Sequence, residues 1–138
     1  MISEENIQRG LKLLKEMGRE NTLFEQEDTS DDMYRLSVGY LFGEIWSRPN
    51  LTLRERQIVT LAANIAMARP SGTHSHYRSA KKVGLTHEEI IEIMIQVGHY
   101  TGWPTLSNAV RQFTEILEEQ KQAEKAKKAG RPFKSRLL

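Results

Sequence analysis

The side chains of this chain whose charge changes near neutral pH are four histidines, His74, His76, His87 and His99. None sits in a metal-binding pattern. His74 and His76 are two residues apart, and on a helix such neighbours point about 200° from one another, so they cannot grip one ion. His87-Glu-Glu-Ile-Ile lacks the second histidine of an HExxH site. No metal is expected. Cysteine is absent, which removes disulfides, thiolate nucleophiles, CxxC redox chemistry and cysteine-ligated zinc. What remains is proton transfer on imidazole and carboxyl groups, with anion binding by arginine, whose planar fork meets a carboxylate with two hydrogen bonds.

The elements that must position these groups have to come from 138 residues, the length of one ordinary domain. With 38% apolar and 28% charged residues the chain can bury one modest core. Apolar helix faces left over would be covered by another subunit. No run approaches the roughly 20 apolar residues of a membrane span. The start, MISEENIQRG, has no basic residue followed by an apolar stretch, so no secretory leader is expected and the cytoplasm is the default location. The net charge of +2 is unevenly spread. Glu20, Glu25, Glu27, Asp28, Asp31 and Asp32 form an acidic stretch, whereas Lys121, Lys125, Lys127, Lys128, Arg131, Lys134 and Arg136 make the end basic. A nucleic-acid or subunit-docking arm is one reading of that end. A solvated helix end followed by a frayed terminus is favoured, because no aromatic residues interleave with the charges to stack on bases.

Helical periodicity runs through the chain, with no convincing strand and no repeat. Ile7, Leu11 and Leu14 share a face after Ser3, and Gly18 is a stop signal. Ser30 can cap a second helix, with Asp31 and Asp32 at its positive end and Tyr34, Val38, Leu41, Phe42 and Ile45 as its apolar stripe. Thr52-Leu-Arg-Glu55 and Thr86-His-Glu-Glu89 are capping boxes that open two more helices. A short helix crosses His76 and Ala80 and ends near Gly84. Gly102-Trp-Pro104 separates the helix through Ile90 and Met94 from a last one carrying Leu106, Val110, Phe113 and Leu117. Met67, Met94 and the isoleucines from 90 to 97 read as core or subunit interface. The spacing predicts an all-α compact bundle of about six helices. Residues 1–29 form an N-terminal helix and acidic linker, 30–120 the helical domain, and 121–138 a basic C-terminal tail.

Gly43-Glu-Ile-Trp-Ser-Arg-Pro49, Leu53-Arg-Glu-Arg56, Val59-Thr-Leu-Ala62, His76 with Ala80 and Gly84, Glu88-Glu-Ile90, Tyr100-Thr-Gly-Trp-Pro104 and Asn108 occur in that order. This run, from about residue 33 to 117, resembles the carboxymuconolactone decarboxylase family. The resemblance implies an alkylhydroperoxidase D-like all-helical fold and a homo-oligomer, trimer or hexamer. The family has two chemical branches. One uses a CxxC pair to remove peroxides; here the matching quartet is Arg69-Pro-Ser-Gly72, without sulfur, and that branch's glutamate falls at Gln57. The other decarboxylates a carboxylated lactone in aromatic-acid catabolism, and GEIWSRP is similar to it. Two departures stand out: that branch has an acidic residue where this chain has Gly72 and often a histidine where it has Gln96.

The resemblance makes His76, Glu44 and Tyr100 the catalytic candidates, and Arg48, Arg56, Trp46 and Trp103 the substrate-binding ones. Decarboxylation leaves an electron pair on carbon. A conjugated carbonyl can hold that pair as an enolate, so no cofactor is required. The protein must hold the substrate carboxylates, steady the developing oxyanion and deliver a proton to carbon. Arg48 and Arg56 suit the first task, Tyr100 the second and His76 the third, with Glu44 orienting His76 or accepting a proton. The expectation is a cofactor-independent carboxy-lyase acting on 4-carboxymuconolactone or a related acid. The alternative is a non-catalytic or differently catalytic homologue that binds a small carboxylate.

Overall fold

The computed structural model describes residues 1–19, 29–70 and 72–137. Most of the acidic stretch, together with Ser71 and Leu138, lies outside them. Among the described residues six helical elements follow one another: α1 (Glu4–Glu16), α2 (Asp31–Arg35) running without a break into a π-helical stretch (Leu36–Ile45), α3 (Leu53–Ala66), α4 (His74–Lys82), α5 (His87–Thr101) and α6 (Trp103–Lys128). No strand occurs among the described residues, so the fold is all-α. No described helix is long and apolar enough to cross a membrane.

The ends of these helices follow the local sequence. Ser3 and Ser30 accept from the backbone N–H groups of Asn6 and Met33. Thr52 with Glu55, and Thr86 with Glu89, close both capping boxes. The Thr52 hydroxyl accepts from Glu55 N–H at 3.2 Å while the carboxylate accepts from Thr52 N–H at 2.7 Å. Replacing Thr52 by Ala is expected to lower stability by about 1 kcal/mol, read as a shift in urea midpoint at unchanged slope.

The apolar stripe of the second helix departs from expectation. Val38 and Phe42 are buried, followed by Trp46 just past its end, while Leu41 and Ile45 are exposed. The reason is the π-helical winding, which bonds each N–H five residues back, as Trp46 N–H does to Leu41 at 2.9 Å. The wider turn aligns residues four apart and swings Leu41 and Ile45 outward. Likewise Ile90 and Met94 are core, whereas Met67 and Ile95 face outward.

Two apolar clusters organise the bundle. Leu61, Ile65, Tyr77, Ile90, Met94 and Phe113 typify the first, built by α3 to α6. Ile7, Leu14, Met17, Val38, Phe42 and Trp46 form the second, where α1 lies on the π-helical stretch. That crossing is unusually close. A Cβ on Gly10 would stand 1.9 Å from the Val38 carbonyl oxygen, and one on Gly43 would stand 2.2 Å from that of Asn6. Only glycine lets the two backbones meet here. Arg35 adds a hydrogen bond to the Ile2 carbonyl at 2.8 Å.

Helix α6 runs on to Lys128, past the start of the expected basic tail, and the chain then returns along α4 and α6. Arg78 binds Glu119 at 2.7 Å and also reaches the Ser135 hydroxyl and the Leu137 carbonyl. Burial alone would raise the Glu119 pKa, but the hydrogen bonds from Arg78 and Ser135 hold it below the ordinary carboxylate value.

Candidate active site

His76 stands on α4, in the seam between the two clusters. Its ring stacks on Trp46, with centroids 6.4 Å apart and planes 10° from parallel. Trp46 in turn lies 5.7 Å from Phe42. The His76 carbonyl accepts from the side chain of Gln57 on α3 at 2.9 Å, and Gln57 is fully buried. The imidazole Nδ1 is buried without a hydrogen-bond partner, as are Gln57 Oε1, Thr73 Oγ1 and Arg56 Nε. Unpaired buried polar atoms of this kind are uncommon in folded proteins.

A cation reaches this seam from the end of α1. Gly18, at φ +67°, ends the helix: its N–H bonds Lys15, and Arg19 N–H bonds Leu14 at 2.7 Å, the paired bonds of a Schellman turn. The turn sends the Arg19 guanidinium over the Phe42 ring, 5.3 Å from its centroid. Burial, and then the neighbouring Arg78 charge, bring its pKa from 12.5 down to about 10, so it stays charged at neutral pH.

Burial, and then the charge of Arg19, push His76 down from 6.5 to about 4. The resting imidazole is neutral at pH 7. Its effect on stability has a definite sign. Between pH 6.5 and about 4 the unfolded chain carries the proton and the folded one does not. The contribution is therefore fully present above pH 6.5 and lost as pH falls toward 4. It amounts to about 3 kcal/mol at most, from a shift worth 1.36 kcal/mol per unit. Urea unfolding of wild type and His76→Gln across this window is expected to show a shallower pH dependence in the variant.

The other sequence candidates divide. Trp46 and Arg56 line a small cavity of about 110 Å³ with Ile45, Leu51, Val59 and Thr60. Arg56 spends one arm of its fork on the Arg48 carbonyl at 2.5 Å, clamping the turn before α3, and Arg48 itself is exposed. Glu44 faces Arg9 of α1 at 3.8 Å, half exposed, and makes no hydrogen bond to His76. Tyr100 and Trp103 are 84% and 70% exposed, at the junction of α5 and α6. His74 marks the far end of α4, bonding Glu115 at 2.6 Å. At 1.5 Å per residue, Trp103 sits about 18 Å along α6 from Glu115, so within one chain neither aromatic joins His76. His74 and His76 point to different partners. Among the described residues no three His, Asp or Glu side chains gather as metal ligands. A cavity of about 960 Å³ lies between α6 and the returning tail, and His76 is not part of its lining.

Arg19 and Thr73 belong to this seam but were not singled out from the sequence, and Phe42 was read only as part of an apolar stripe. Gly18 was readable as a helix stop, yet nothing in an arginine that follows a glycine tells which way its side chain turns. Gln57 was noticed only for the charge it lacks, although it holds α4 against α3 at His76.

Comparison with known proteins gives this seam its context. The model of the carboxymuconolactone decarboxylase family matches residues 31–115. The chain belongs to the carboxymuconolactone decarboxylase family. It is also 27% identical over 123 residues to the 4-carboxymuconolactone decarboxylase of Acinetobacter baylyi, an alignment covering 86% of this chain and 92% of that one. Without cysteine the chain fits the decarboxylase-like branch of the family rather than the CxxC branch. The matched stretch contains Trp46, Arg56, Gln57 and His76, while Arg19 precedes it.

Proposed function

We propose that this chain is a cofactor-independent carboxy-lyase that removes CO2 from a carboxylated lactone, 4-carboxymuconolactone or a related acid. The observation that carries the reading is the half-buried, neutral imidazole of His76, its buried Nδ1 unpartnered, beside a cation and an indole. Decarboxylation breaks the bond between carbon and the departing carboxylate. The electron pair passes into the conjugated carbonyl as an enolate, and a proton taken up at carbon completes the product. A neutral imidazole with a pKa of about 4 is a poor proton donor on its own. An anionic substrate beside it reverses the balance, because a nearby negative charge favours the imidazolium. Substrate binding thus arms His76, which then protonates carbon. Glu44, held by Arg9, is the second proton carrier in this reading, with a smaller share. Arg56 and Trp46 bound the substrate, with Arg48 at the rim.

Tyr100 and Trp103 enter the reading through assembly. Large exposed aromatics, with Val59, Ile95 and Val110 also exposed, suit a homo-oligomer, trimer or hexamer, in which a neighbouring copy covers them. Light scattering at micromolar concentration is expected to return a trimer or hexamer mass; a monomer contradicts this part of the proposal. The function itself is tested by CO2 release from 4-carboxymuconolactone with purified, assembled protein, for which turnover is expected. Absence of turnover rejects that substrate. A second reading, a small-carboxylate-binding homologue, draws support from Gln96, which lines an apolar groove of about 340 Å³ between α3 and α5, and from exposed Gly72. It predicts anion binding without CO2 release.

A further inference from the structure

We infer that the cavity between α6 and the returning tail is a second binding site, for a small zwitterion. Its ligand has an apolar body with a free amine at one end and a free carboxylate at the other, the chemistry of an amino acid or a short peptide. The cavity measures about 960 Å³ and His76 does not line it, so the inference does not depend on the carboxy-lyase reading. Pockets that enclose small ligands span roughly 300–1,000 Å³. This one exists because the tail is fixed at two points. Gly130, at φ +66°, ends α6: its N–H bonds Lys127 at 3.1 Å and Arg131 N–H bonds Ala126 at 2.8 Å, the paired bonds that turn a chain back on its helix. Farther on, Arg78 donates to the Ser135 hydroxyl at 2.7 Å and to the Leu137 carbonyl at 3.1 Å. The tail held by these anchors forms one wall of the cavity, and one face of α6 forms the other.

The two walls carry opposite charge. On the α6 wall, Glu115 is taken by His74 at 2.6 Å and by Arg111 at 2.5 Å, and Glu119 by Arg78 at 2.7 and 3.0 Å. Glu118 is left over. Among the described residues its carboxylate meets only the Gln122 amide, at 3.5 Å, and no cation. On the tail wall, Lys134 and Arg136 form no ion pair among the described residues. Opposite charges thus line one cavity without closing on each other. The same lining supplies Pro132, Leu137 and Phe133, whose ring is 42% exposed. A ligand amine seated on Glu118 satisfies the lone carboxylate, and a ligand carboxylate meets Lys134 or the fork of Arg136. Its apolar body covers Phe133. A molecule with one charge alone gains one wall and is repelled by the other, so the arrangement selects for both charges together.

The test titrates the full-length protein calorimetrically with L-phenylalanine and with leucylphenylalanine, which separate an amino acid from a dipeptide as the occupant. Phenethylamine and 3-phenylpropionate, each keeping one of the two charges, are the controls. At least one zwitterion is expected to bind with a Kd of about 1 mM or tighter, and at least about 5-fold more tightly than either control. Glu118→Gln is expected to weaken the zwitterion at least about 5-fold yet to strengthen 3-phenylpropionate, because a repelling carboxylate is gone. Lys134→Gln combined with Arg136→Gln is expected to weaken the zwitterion by a similar factor yet to strengthen phenethylamine. All three side chains are exposed, and melting temperatures check that the variants fold. Absence of saturable binding of either zwitterion up to about 10 mM overturns the inference. So does a control that binds as tightly as the zwitterion, which leaves one wall without a role, or a Kd unmoved in both folded variants. If a variant fails to fold, the wild-type comparison with the two controls decides alone.

Discussion

Replacing His76 with Gln is expected to lower kcat for lactone decarboxylation by about 10²–10⁴-fold, the usual contribution of a positioned proton donor. Glutamine preserves much of the bulk against Trp46 and can still hydrogen-bond, so the fold is retained while the titrating group is lost. Far-UV circular dichroism and the melting temperature separate that outcome from unfolding. Glu44→Gln gives the contrast. Its carboxylate is half exposed and 3.8 Å from Arg9, so a loss below about 10-fold is expected. Equal losses in the two variants would place the proton chemistry on the pair rather than on His76. Unchanged kcat in His76→Gln would remove His76 from the reaction.

The second large effect is on stability. Gly43→Ala is expected to destabilise the protein by at least about 2 kcal/mol, and Gly10→Ala by a similar amount. In each case the added methyl meets backbone, Asn6 in the first and Val38 in the second, and no side chain can rotate away to make room. Relief requires α1 to lift from the π-helical stretch, which opens the second apolar cluster around Leu14, Phe42 and Trp46. Urea unfolding followed by tryptophan fluorescence reads the change. Stability within about 0.5 kcal/mol of wild type would mean that the crossing adapts easily and that the glycines do not set the position of α1.

Much of the scaffold was legible in the chain because its signals are local. Ser3, Ser30, Thr52 and Thr86 cap helices by bonds to residues three positions on, and Gly18, Gly84 and Gly102 end them with positive φ. The π-helical winding was not legible, since no residue type demands it. It rotated Leu41 and Ile45 out of the stripe that an α-helical period had given them. The site was legible in part. His76 and Trp46 were picked out by motif and are stacked together, and Arg56 was picked out for its fork, which turns out to clamp a turn. The place of Arg19 over Phe42 was not legible, because it depends on a tertiary crossing at Gly10, Gly39 and Gly43 rather than on neighbours in sequence. Tyr100 and Trp103 belong to motifs too, yet one chain alone leaves them in water.

An anion entering the seam converts a neutral, half-buried imidazole into a proton donor in the proposed reaction. NMR titration of the His76 ring in the assembled protein, free and saturated with adipate, tests it most directly. A pKa near 4 is expected in the free protein, rising toward 6.5 or above when this dicarboxylate is bound. A ring that titrates near 6.5 in the free protein and ignores adipate would contradict it.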